Sequence, residues 1–137
     1  MEYVAPTTVD EARTLLADNP GSRVFAGATD VVPQMRSGRP EPSVLIDLKR
    51  IDRLMSVAHD NGHWTIGAAM PTSELTSNGE FSSVFPGISE GAGWIGSDQI
   101  QNRSSLGGNL CNGSPAADSV PAMIASEARA VIAGADG

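Results

Sequence analysis

Helix and strand patterns alternate through residues 1–50, and that alternation leaves few folds open. A short extended start, Tyr3 to Ala5, precedes Thr8-Val9-Asp10-Glu11, which reads as a capping box with a hydroxyl at the cap and a carboxylate three residues on. Val9, Ala12, Leu15 and Leu16 then share one helix face, and Asn19-Pro20-Gly21 stops the helix. Arg23-Val24-Phe25-Ala26 reads as a brief buried strand, and Gly27-Ala28-Thr29-Asp30 as a turn. Asp30 is placed to cap a short helix over residues 31–37, with Pro33 tolerated in its first turn and Gly38 ending it. Val44-Leu45-Ile46-Asp47-Leu48 is a second strand. Helix, strand, helix and strand in so short a span predict a small α/β unit with parallel pairing.

The pattern changes after residue 50. Residues 54–59 and 63–69 flank Asn61-Gly62, a strong hairpin signal. Pro71 breaks the second arm, and a short helix begins at Thr72. Residues 82–95 read as helical, at least from Pro86 onward. Residues 104–118 read as a polar loop, residues 118–128 as a helix with Pro121 near its start, and residues 129–133 as a last strand. The chain closes on Asp136-Gly137, a favoured turn pair with no returning strand, so the expectation is a fragment or a continuation supplied elsewhere. The change of pattern predicts two subdomains, 1–53 with a first glycine loop and 54–137 with a second.

Charge narrows the partners. The net charge of −7 argues against nucleic acid and anionic membrane. It leaves room for a small phosphate ligand, because exposed charges are screened over about 8 Å at physiological salt. Charge-assisted bonds from backbone donors are worth about 1.5–3 kcal/mol each. No apolar run approaches the roughly 18–20 residues of a membrane span. The N-terminus has no basic start or apolar stretch of an export signal, and a single cysteine, Cys111, excludes an internal disulfide. A cytoplasmic location is the expectation.

Two loops are candidates for chemistry. The first, Phe25-Ala26-Gly27-Ala28-Thr29-Asp30, joins a strand to a helix. Free N–H groups at such a junction attract phosphate, and Thr29 adds a hydroxyl. Read without function, it is an ordinary turn capped by Asp30. Neither common nucleotide-binding glycine fingerprint is present. The second, SSLGGNLCNGSPAAD, has Gly107-Gly108 to let backbone approach a ligand, with Ser105, Asn109, Asn112 and Ser114 as polar side chains. Asp118 is either a helix cap or an acceptor for ribose hydroxyls. Two such loops suggest a long ligand with phosphates near its middle.

The strings GATDVVPQMRSG and SDQIQNRSSLGGNLCNGSPAADSVPAMIASEARAVIAG resemble, in order and spacing, the two glycine motifs of the FAD-binding (medium) subunit of molybdenum hydroxylases, the xanthine dehydrogenase and carbon monoxide dehydrogenase flavoprotein family. The resemblance runs across nearly the whole chain. It implies an α+β fold, the two-subdomain PCMH/vanillyl-alcohol-oxidase-type FAD-binding fold, truncated here because relatives continue about as far again. It also implies that the FAD diphosphate lies between the loops. Val24, Phe25, Ala26, Gly27, Ala28, Thr29 and Asp30 would contribute from the first, chiefly by backbone amides. Ser105, Gly107, Gly108 and Asn109 would contribute from the second. Asn112 falls near the flavin's polar edge, Asp118 where an aspartate holds the sugar or adenine part, and Ile95 where a residue lies against the cofactor.

The activity implied is that of an oxidoreductase flavoprotein subunit. Molybdopterin and [2Fe–2S] clusters belong to partner subunits of a hetero-oligomer, and NAD, oxygen or a quinone is the acceptor. The alternative is a non-catalytic remnant or assembly module that does not hold FAD tightly. Three stretches depart from the family pattern. Ala28 stands at a second glycine, costing about 1 kcal/mol or more if its φ is positive. Gln101 replaces an arginine, and Arg103-Ser104-Ser105 replaces a milder N-x-G-T. His59 and His63 are read as exposed turn residues rather than metal ligands. Cys111 lacks a base to activate it. Trp64 and Trp94 are expected in the core.

Overall fold

A computed structural model describes residues 1–134. Three strands, β1 (Glu2–Val4), β2 (Arg23–Phe25) and β3 (Val44–Asp47), form a parallel sheet in the order β1-β3-β2. Every residue of β3 is buried, as a central parallel strand covered on both faces requires. Val44 and Ile46 point to one face, where they pack with Ala12, Ile51, Val9, Leu15 and Val24. Leu45 points to the other, against Phe25, Val31, Ala28 and Met35. Helix α1 (Val9–Asp18) covers the first face, and α2 (Val31–Arg36) leads from β2 towards β3.

The capping box at α1 is complete. The Glu11 amide donates to Thr8 Oγ1 at 3.1 Å, and Glu11 Oε2 accepts from the amides of Thr7 at 2.7 Å and Thr8 at 3.3 Å. These bonds, the Thr7 amide's first, hold the Glu11 carboxyl below its ordinary value. Leu16 departs from the expected apolar face. It is exposed, because the sheet underlies only the Val9, Ala12 and Leu15 stripe.

The second half opens with an antiparallel hairpin, β4 (Val57–Asp60) and β5 (His63–Ile66). Asn61 and Gly62 both have positive φ, +48° and +77°, as a type I′ turn demands. Six short helices follow: α3 (Thr72–Ser77), α4 (Gly79–Val84), α5 (Pro86–Gly93), α6 (Asp98–Gln101), α7 (Leu106–Asn112) and α8 (Val120–Ala125). Leu75, Phe81, Ile88, Ala92 and Leu106 form their core, with Trp64 edge-on to Phe81 at 5.6 Å between centroids. His59 stacks on the outer face of Trp64 and bonds Glu80 at 3.0 Å. A parallel α/β unit followed by a hairpin and a helical layer is an α+β arrangement.

Several expectations are corrected. The helix expected over residues 82–95 is two helices, because Pro86 cannot continue the first and instead starts the second. The polar loop at 104–118 contains a full helix, α7. The last helix begins at Val120 with Ser119 before it, so Asp118 lies outside the cap, and Asp30 makes no capping bond either. Residues 129–133 are not a strand. They are exposed, and an apolar segment without a sheet edge beside it does not hold strand geometry. Trp94 is 72% exposed rather than in the core. The closing Asp136-Gly137 pair lies outside the described residues.

Candidate functional site

The first turn leaves the sheet at Phe25. Among the described residues, the backbone amides of residues 27–31 donate to no protein acceptor. The helix after them starts only with Val32 N–H to the Ala28 carbonyl at 3.1 Å. Ala28 has φ +62°, the left-handed conformation in which an alanine is strained and a glycine is not. A left-handed residue within a turn is one of the conformations from which backbone N–H groups form anion-binding concavities. Helix α2 has six residues, so the unpaired amides of the turn, not a long dipole, are what this end offers an anion.

The second segment is anchored from beneath. Thr72, fully buried, sends its amide to the Ser104 carbonyl at 2.9 Å, and its hydroxyl meets the Gln101 carbonyl at 3.1 Å and Ser104 Oγ at 2.7 Å. Ser105 Oγ caps α7 by accepting the Gly108 amide at 3.0 Å. The amides of Ser105, Leu106 and Gly107 have no protein acceptor among the described residues. The two glycines differ in purpose. A Cβ at Gly107 would stand 2.5 Å from the Ala68 carbonyl oxygen, so the fold itself demands glycine there. A Cβ at Gly108 would meet only Ser105 Oγ, at 3.1 Å, and its residue is exposed. Asn109 Oδ1 accepts the Ser119 hydroxyl at 2.7 Å, tying α7 to the start of α8.

The two segments meet. A Cβ on Gly27 would fall 1.8 Å from the Arg103 carbonyl oxygen and 3.0 Å from the Ser104 nitrogen, so the turn lies directly on the backbone leading into α7. The helices beyond are also bridged. Gln34 Nε2 donates to Asn112 Oδ1 at 3.0 Å, and Arg39 Nη1 donates to Gln34 Oε1 at 3.3 Å. Residues 27–31 and 105–107 therefore present their unpaired amides from adjoining pieces of chain, a donor set suited to the oxygens of a diphosphate.

The other expected residues serve differently. Val24 and Phe25 pack their side chains into the two faces of the sheet, leaving only backbone for a ligand. Ile95 is buried at 9% exposure. The Asn112 carboxamide oxygen is engaged by Gln34. Asp118 lines a crevice of about 240 Å³ with Glu90, Trp94 and Pro121, and no hydrogen bond joins its side chain to either turn. Thr29 Oγ1 and the Asp30 carboxylate form no hydrogen bond among the described residues.

One group escaped the sequence reading. Lys49 Nζ donates to the Ala26 carbonyl at 2.9 Å and to Asp47 Oδ1 at 2.6 Å, and sits 4.5 Å from the Phe25 ring centroid. Tyr3 donates its hydroxyl to Asp47 Oδ2 at 2.8 Å. Burial pushes the Asp47 carboxyl up, but the bonds from Lys49 and Tyr3 outweigh it and hold it below its ordinary value. The same bond, with burial and the Asp47 charge, raises the Tyr3 hydroxyl. Among the described residues no group of three or more His, Cys, Asp or Glu is placed to hold a metal, and no helix is long and apolar enough to cross a membrane.

Residues 1–137 match the family model described as the FAD binding domain in molybdopterin dehydrogenase. The chain is 32% identical over 128 residues to the 6-hydroxypseudooxynicotine dehydrogenase complex subunit alpha of Paenarthrobacter nicotinovorans, which covers 93% of this chain and 43% of that protein. It is 32% identical over 137 residues to the carbon monoxide dehydrogenase medium chain of Hydrogenophaga pseudoflava, covering 99% of this chain and 48% of that one. The fold superposes on the carbon monoxide dehydrogenase structure from Hydrogenophaga pseudoflava with a TM-score of 0.80 and 31% identity, over 84% of this chain and 40% of that chain. Reconstituted carbon monoxide dehydrogenase from Oligotropha carboxidovorans gives a TM-score of 0.82 at 28% identity, over 87% of this chain and 42% of that one. The chain thus spans less than half the length of these relatives.

Proposed function

The chain belongs to the family of FAD-binding domains in molybdopterin dehydrogenases, and from that premise we propose that its two glycine turns hold the diphosphate of FAD in the flavoprotein subunit of a molybdenum hydroxylase. The observation that carries this reading is the junction of the unpaired amides of residues 27–31 and 105–107 at the contact between Gly27 and Arg103. Backbone donors suit a diphosphate because they are fixed in place and carry no proton to lose with pH.

The roles of individual residues follow from their surroundings. Gly27, Ala28, Thr29 and Asp30 offer amides, with the Thr29 hydroxyl as a further donor. Ser105 holds the start of α7 in shape through its cap, and Gly108 leaves an open face beside it. Asn109 and Asn112 brace α7 through Ser119 and Gln34, so their contribution is to hold the backbone. Asp118 is assigned to the sugar or adenine end, where the crevice beside Trp94 offers a ring to stack on. Ile95 is assigned to apolar contact with the cofactor, and Phe25 packs against the sheet face beside the first turn. Residues 1–53 and 54–137 act as the two halves that close on the cofactor.

When bound, FAD supplies the redox chemistry, carrying electrons from molybdopterin and [2Fe–2S] centres of partner subunits to NAD, oxygen, a quinone or another acceptor. The backbone of the two turns orients the cofactor through its diphosphate, and the side chains around them hold that backbone in place.

The experiment is titration of the purified chain with FAD, followed by quenching of flavin fluorescence. Micromolar or tighter binding that is lost in Gly108→Val and weakened in Asp118→Ala supports the site. Binding untouched by both substitutions rejects it. No binding at high FAD favours a non-catalytic remnant or assembly module of the same fold.

A further inference from the structure

We propose that Lys49 is a positioning residue for the diphosphate site, fixing the plane of the Ala26–Gly27 peptide so that the Gly27 N–H faces the ligand. This inference rests on the FAD reading above.

The argument begins with the peptide group. No cis peptide bond occurs among the described residues, so the Ala26 carbonyl and the Gly27 N–H lie in one plane and point in opposite directions. Whatever holds the carbonyl therefore aims the amide. Lys49 Nζ holds that carbonyl at 2.9 Å. Its other contacts leave it little freedom. Asp47 Oδ1 accepts a second of its protons at 2.6 Å, and the Phe25 ring lies under it at 4.5 Å. The side chain is only 19% exposed and that of Asp47 9%. Asp47 is fixed in turn by the Tyr3 hydroxyl at 2.8 Å and by the Lys49 amide at 2.9 Å.

The arrangement has a second consequence. Glycine at 27 is required because Arg103 leaves no room for a Cβ, and a glycine peptide is the one most free to rotate. Ala28 beyond it is in the left-handed region. A turn built from these two residues has no intrinsic preference for the orientation it adopts. The ammonium supplies that preference from the sheet side, and its positive charge sits one peptide away from the amides that would meet the diphosphate.

The test uses the full chain and three variants: Lys49→Met, which keeps the apolar stem, Lys49→Arg, which keeps a cationic donor, and Ile88→Val, a mild core change remote from the turn. FAD affinity is titrated by flavin fluorescence, and the melting temperature and the Gly27 amide resonance are recorded alongside. Lys49→Met is expected to weaken FAD binding roughly tenfold or more and to shift the Gly27 amide resonance. Lys49→Arg is expected to restore affinity to within about threefold of the parent. Ile88→Val is expected to lower the melting temperature without weakening FAD binding. The proposal is overturned if Lys49→Met binds FAD as tightly as the parent, if arginine does not rescue, or if Ile88→Val weakens binding as much. A parent that binds no FAD overturns the FAD reading as well, whereas a parent that binds with an indifferent Lys49→Met sinks only the role of the lysine.

Discussion

Replacing Gly27 by alanine probes the joint on which the site depends. The added Cβ would stand 1.8 Å from the Arg103 carbonyl oxygen and 2.4 Å from its carbon. Ordinary contact begins near 3.4 Å, so the turn and the segment before α7 must part by about 1.6 Å. Both sides of the clash are backbone, and no rotamer change relieves it. Overpacking typically costs 1–3 kcal/mol, and a clash between two main chains belongs at the upper end, about 3 kcal/mol. For a chain of this size each kcal/mol lowers the melting temperature by roughly 3–5 °C. Gly27→Ala is therefore expected to melt about 10–15 °C lower by circular dichroism. At a temperature where it remains folded, its FAD affinity should fall well over tenfold, because the two amide sets are pushed apart. A Gly27→Ala protein with parental melting temperature and FAD affinity would refute the close approach of the two turns and the shared site with it.

The neighbouring position should respond in the opposite direction. Ala28 pays about 1–2 kcal/mol for its left-handed conformation, and glycine adds back about 0.4–1 kcal/mol of unfolded-chain entropy. Ala28→Gly should gain about 0.5–1 kcal/mol in urea unfolding, and a loss of stability would contradict the left-handed φ. Ser105→Ala removes the cap of α7 and should cost about 1 kcal/mol, readable in the same unfolding series together with weaker FAD binding. Leu75, with no exposed surface, should cost about 2–5 kcal/mol when cut to alanine; a smaller loss in thermal melts would mean that the helical core is looser than described. Acid should act through Asp47. Its folded carboxyl titrates below its ordinary value of 3.8, so the stability it contributes is present above that value and is lost as pH falls through the lower folded one. Melting temperature should drop more steeply below about pH 4 for the parent than for Asp47→Asn, and parallel curves would exclude this linkage.

Local signals that act through the backbone were readable in the sequence. The Thr8 to Glu11 box, the Asn61-Gly62 turn and the alternation of the first fifty residues each appear where their chemistry places them, because each is satisfied within a few residues. The signals that failed depend on distant partners. Gly107 and Gly108 argue against a helix by propensity, yet α7 forms because Ser105 caps it and Leu106 packs into the core. Residues 129–133 have strand composition, but strand geometry needs a neighbour that no other described segment supplies. Trp94 has the composition of a core residue and sits at the end of α5, beside the crevice of Asp118. For the candidate site, both glycine segments were legible as strings, whereas their braces were not. Lys49 with Ala26, Gln34 with Asn112 and Thr72 with Ser104 are 23, 78 and 32 residues apart. No spacing rule reaches that far.

The strand order has an implication for how the molecule is made. Among the described residues β1 and β2 share no ladder hydrogen bonds, and each pairs with β3 alone. As the described residues are synthesised in order, neither has a described strand to bond until residues 44–47 arrive and slot between them. Lys49 follows two residues later, so the sheet and the clasp on its first bend are completed within one short stretch of synthesis. Until then the earlier strands are solitary ribbons, and it is their late-arriving middle member that turns forty-odd residues of separate pieces into a platform.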